Sequence, residues 1–154
     1  MKKIIFLLLG LILSIGIYAQ RTSREILHES NITWKKGFSW EIERVTDNNT
    51  ENVYLFIMFR NDKKRNVRNR ACIVFNKPNE LLKFTSTLKE FSKMPKGIEK
   101  EKGYVLLRSS NNRVYITNDP GSYDVFTSIS KKQALDLANT LEQHADLLYS
   151  KIIE

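Results

Sequence analysis

Val53-Tyr54-Leu55-Phe56-Ile57-Met58-Phe59 and, after a polar interval, Ala71-Cys72-Ile73-Val74-Phe75 decide the fold class. Both runs are apolar, rich in β-branched or aromatic residues, and shorter than an ordinary helix. Such runs form strands. The first, being unbroken, predicts a central strand covered on both faces. The polar segment Asn61–Asn69 joins them, so the pair reads as a hairpin.

Upstream, Phe38-Ser39-Trp40-Glu41-Ile42-Glu43 alternates apolar with polar residues, the pattern of a strand with one buried face. Asp47-Asn48-Asn49-Thr50 supplies the turn into the next strand. Residues 20–37 are polar with scattered apolar positions such as Ile26, Leu27 and Ile32, and read as a loosely ordered lead-in.

Downstream, Pro78 suits a first helical position, where a missing N–H costs nothing, and Glu80 suits the positive N-terminal end. Leu81, Phe84, Leu88 and Phe91 then recur at three- and four-residue steps as one apolar stripe. Met94-Pro95-Lys96-Gly97 stops the helix. Tyr104–Leu107 and Val114–Ile116 are short strands around a Ser109–Asn112 turn, and Asp124–Ile129 is a last strand. Ser130-Lys131-Lys132-Gln133 is a capping box. Beyond it Ala134, Leu137, Ala138, Leu141, Ala145, Leu148 and Ile152 make a stripe of about five turns.

The expected fold is α+β: a mostly antiparallel sheet of five to six strands with two helices packed on it. Tyr54–Phe91 and Tyr104–Leu141 share an order of elements, though not of residues, which hints at duplication.

The N-terminus reads as an export signal. Met1-Lys2-Lys3 is a basic head, Ile4–Ile17 an apolar run, and Ala19 the small residue before the cut. Interrupted by Gly10, Ser14 and Gly16, the run falls short of the roughly 20 residues that span a bilayer, so the mature form carries no span. No Cys follows it to take a lipid. Residues 1–19 are therefore expected to be removed, leaving 20–154 as a single domain, periplasmic or secreted. One Cys excludes a disulfide framework, so packing must supply the stability. Cys72, inside an apolar run, is expected to be an inert core thiol.

The formal charge is +8, and losing Lys2 and Lys3 with the signal leaves +6. Arg60, Lys63, Lys64, Arg65, Arg68 and Arg70 stand against Asp62 alone, a local +5, so the rest of the chain is nearly balanced. This cluster is the candidate binding site, with Asn61, Asn66 and Asn69 adding hydrogen-bonding capacity. It holds none of the stacking aromatics of a nucleic-acid surface. Outside the cytoplasm its expected partner is an acidic protein, an anionic lipid headgroup or a polysaccharide, rather than nucleic acid.

No nucleophile elbow, phosphate-cradling glycine loop or zinc-ligand spacing is present in the sequence. No catalytic residue, metal site or cofactor is therefore assigned. Glu41 and Glu43 share a strand face and are expected to be exposed. His28 and His144 are expected at surface or boundary positions, Trp40 in the core, and Asp119, Tyr123 and Asp124 around the Pro120-Gly121 turn. The favoured reading is a non-enzymatic binding domain. One alternative is a small hydrolase or nuclease, which requires Glu41, Glu43, Asp119 and His144 to converge in one cleft. Another is a structural envelope component that works through its strand edges.

Overall fold

The computed structural model describes residues 22–29, 40–63, 70–108, 112–118 and 125–148. Four strands come first: β1 (Thr22–Glu29), β2 (Trp40–Asp47), β3 (Val53–Arg60) and β4 (Arg70–Phe75). They form an antiparallel sheet in sequence order, and helix α1 (Pro78–Lys93) follows. The pattern then recurs. Strands β5 (Lys100–Lys102), β6 (Val105–Arg108), β7 (Arg113–Thr117) and β8 (Phe126–Ile129) make a second meander in sequence order. Helix α2 (Lys131–Gln143) and a 3₁₀ turn (Ala145–Leu148) complete it. The chain is thus α+β, with the element order of a four-stranded meander and a helix used twice.

The single sheet of five to six strands is corrected to two sheets of four strands each among the described residues. Helix α1 intervenes between β4 and β5, so the second meander starts a new sheet instead of extending the first. Two strands were also missed. Thr22–Glu29, read as lead-in, pairs along β2 with a bulge between Ile26 and His28. Lys100–Lys102 is exposed throughout and pairs with β6.

Register sorts the side chains of the first sheet. Trp40 faces Phe59, Ile42 faces Ile57, and Leu55 faces Phe75 across neighbouring strands, which sets them on one face. All six are buried, in a core that also takes Leu81, Leu88, Leu137, Leu141 and Ile116 from the two helices and the second sheet. One buried cluster therefore draws on both meanders. Burying each large apolar side chain contributes roughly 1.5–3 kcal/mol.

The other face is only partly covered, because the helices pack against one side. Tyr54, Phe56 and Met58 are half-buried there, so β3 is central in the sheet without being covered on both faces. Cys72 lies on this face opposite Met58, half-buried and unpaired, and not in the core. Val74 is 43% exposed.

The helices form as their sequences dictate. Pro78 opens α1, Glu80 lies in the first turn, and Met94 ends the helix in an extended conformation. At α2 both halves of the capping box are made. Gln133 N–H donates to Ser130 Oγ (3.2 Å), and Ser130 N–H donates to Gln133 Oε1 (2.9 Å). Such a cap stabilises by about 1 kcal/mol. The regular helix ends at Gln143, short of the expected five turns; the chain tightens into a 3₁₀ turn that still buries Ala145 and Leu148. Carbonyls at a helix end have no partner four residues on, and shorter-range bonds satisfy them. Helices α1 and α2 pack on each other, and α1 also reaches β4, β6 and β7.

Candidate functional site

The basic segment spans the β3–β4 hairpin, whose register sets Arg60 directly opposite Arg70. Like charges facing each other across a ladder are unfavourable. Asp62 offsets this: Arg60 Nη2 donates to Asp62 Oδ1 at 3.1 Å, with both side chains about four-fifths buried. Arg60 Nε is buried without a hydrogen bond. Arg60 is therefore compensated inside the fold, and its charge serves the hairpin more than the surroundings.

The same aspartate ties the start of the segment to the second sheet. Asp62 N–H donates to the Phe126 carbonyl (2.7 Å), and Ser128 N–H donates to Asp62 Oδ2 (2.7 Å). Asn61, only 4% exposed, accepts the Lys63 N–H on Oδ1 at 3.0 Å. The foot of the basic segment is thus a small hydrogen-bonded platform against β8, from which Lys63 projects into solvent. Lys64, Arg65 and Arg68 lie outside the described residues, and of Arg70 the backbone alone is described. Asp62 stood out in the sequence as the one acid among cations; nothing there marked Ser128 or Phe126 as its partners.

Of the remaining candidates, Glu41, Glu43, His28 and His144 are among the described residues. Glu41 and Glu43 share a face of β2, as the alternation required, but they are 6% and 9% exposed and not on open surface. Strand β1, absent from the sequence expectation, flanks β2, so Ile26 and Phe56 bracket Glu43 while Glu29 and Met58 bracket Glu41. Arg24 Nη1 stands 3.6 Å from Glu43 Oε2. His28 projects to the opposite face, where its ring stacks on the buried Trp40 with centroids 4.6 Å apart. His144 caps α2 and feels the charge of His28. Glu41 and Glu43 thus share the face of β2 away from Trp40, and His28 lies on the Trp40 face. Asp119, Tyr123 and Asp124 lie outside the described residues, as does the apolar leader at 1–19. Among the described residues no three His, Cys, Asp or Glu side chains gather as metal ligands, and no helix is long and apolar enough to cross a membrane.

His144 makes the fold sensitive to acid. Partial burial, reinforced by the nearby His28, pushes its pKa below the ordinary 6.5. The folded protein then binds fewer protons than the unfolded chain, so stability rises with pH wherever the unfolded histidine is protonated. The contribution is complete above the unfolded value and is lost as pH falls through the depressed folded value. Urea midpoints measured from pH 8 to pH 5 should fall over the acid part of that range. His144→Gln should flatten the decline, and an equally steep decline in that variant would show that other groups cause it.

Compared with family models, curated proteins and solved structures, the chain finds no match.

Proposed function

We propose that this is an exported, non-enzymatic binding domain that takes an anionic partner on the basic segment between β3 and β4. The observation that supports it is the anchored foot of that segment. Asp62 holds its start against β8 through two hydrogen bonds of 2.7 Å, and Asn61 accepts from Lys63 N–H at 3.0 Å. Cations on a fixed base lose less freedom on binding than cations on a free tail. Concentrated in an otherwise nearly neutral chain, they also steer an acidic partner toward one place. With Arg60 engaged by Asp62, the cations assigned to the partner are Lys63, Lys64, Arg65, Arg68 and Arg70.

The leader at 1–19 supports a site of action beyond the inner membrane. An acidic protein is the favoured partner, since cations close together in the chain match a local acidic patch.

The protein, tagged at its C-terminus and purified from its host's envelope fraction, should begin at Gln20. At low salt it should capture an acidic protein. Replacing Lys63, Lys64, Arg65 and Arg68 together by Gln should abolish that capture. Undiminished capture by the variant would overturn the reading, and a chain that begins at Met1 in the cytosolic fraction would remove the export half. Vesicles bearing anionic lipid and a sulfated polysaccharide column distinguish the other two kinds of anion.

A further inference from the structure

A groove of about 410 Å³ opens between the end of β4, helix α1 and the β5–β6 turn. Val74 and Phe75 at the end of β4 form one side. Glu80, Lys83, Phe84 and Thr87 contribute one face of α1, at the three- and four-residue steps that bring helix positions into line. The β5–β6 turn, Lys102 to Val105, closes the far side. Gly103 makes that tight turn possible: its φ of +56° lies in the left-handed region that disfavours other residues. The turn brings Tyr104, 40% exposed, into the lining. The buried side chains of Phe75, Phe84 and Val105 make an apolar floor. The volume falls within the roughly 300–1,000 Å³ range of small-molecule sites.

The charges around this floor do not cancel. Glu80 is matched by Lys77 at 3.5 Å. Glu90, just outside the groove, is shared by Lys100 (2.6 Å) and Lys102 (3.3 Å), one carboxylate for two ammonium groups. Lys83 is exposed and has no acidic partner among the described residues. Two positive charges therefore remain uncompensated around an apolar trough.

We propose that this groove binds a small amphipathic carboxylate, its hydrocarbon chain along Phe75, Phe84 and Val105 and its head between Lys83 and Lys102. The apolar floor selects a chain, and the surplus of ammonium groups selects an anionic head over a neutral or cationic one. The site is independent of the basic segment, which begins at the opposite end of β4.

Titration of the purified protein with decanoate, below its aggregation concentration, tests this directly. One saturable site is expected. Affinity should rise roughly tenfold or more from hexanoate to octanoate and again to decanoate, since each buried methylene contributes roughly a factor of four. Decyltrimethylammonium, with the same chain and the opposite charge, should not displace decanoate. The double variant Lys83→Glu, Lys102→Glu changes exposed positions and should keep the parent's unfolding midpoint within a few degrees while weakening decanoate at least tenfold. Absence of saturable binding, equal affinity for the cationic chain, or an unchanged affinity in the double variant would overturn the proposal. None of these outcomes depends on capture by the basic segment.

Discussion

Leu88→Ala will lower folding stability by about 2–5 kcal/mol, while Leu82→Ala, the same change on the same helix, will lower it by under about 0.5 kcal/mol. The two leucines differ in what surrounds them. Leu88 is fully buried on the α1 stripe, in the core that joins both sheets to both helices, whereas Leu82 is 39% exposed. Truncating Leu88 removes buried methyl groups and leaves a cavity that close-packed neighbours fill only in part. Total stability for a domain is ~5–15 kcal/mol, so the Leu88 variant loses a large share of it. Urea unfolding should show the Leu88 midpoint displaced strongly, the Leu82 midpoint almost unmoved, and a common slope for all three proteins. Equal displacements would mean that α1 is not packed by the face described.

That contrast was legible in the sequence, because a helix announces its buried side through spacing. Leu81, Phe84, Leu88 and Phe91 fall on one stripe, and every one is buried. The capping box at Ser130 and the proline at position 78 are equally local signals, complete within four residues, and both are realised. Strands β3 and β4 were found for the same reason. What failed was whatever depends on partners far along the chain. Strand β1 is exposed over its first five positions and has no buried face to leave a periodic trace; its backbone pairing with β2 makes it a strand. Lys100–Lys102 is wholly exposed and equally silent. The division into two sheets and the burial of Glu41 and Glu43 follow from which strands become neighbours. The candidate sites divide in the same way. The basic segment is contiguous and was visible as charge. The groove is assembled from β4, α1 and the β5–β6 turn, and none of these is unusual alone.

Asp62→Ala should show how far the two units depend on one another. Its carboxylate accepts from Arg60 and from Ser128 N–H, so it links the end of β3 to an edge strand of the other sheet. Alanine leaves a largely buried guanidinium and a backbone N–H without their acceptor. Losing buried partners of this kind costs about 1–3 kcal/mol. Asp62→Asn keeps an oxygen for Ser128 N–H but removes the charge that compensates Arg60, so its loss should be smaller. Hydrogen exchange separates the two effects. In the alanine variant the Ser128 amide should exchange faster at neutral pH, while in the asparagine variant it stays protected. The amide of residue 62 is bonded to the Phe126 carbonyl through backbone alone, and it reports whether the strand end remains docked once the carboxylate is gone. If the Ser128 amide keeps its full protection in the alanine variant, the carboxylate is not what joins the units, and packing through the shared core holds them together unaided.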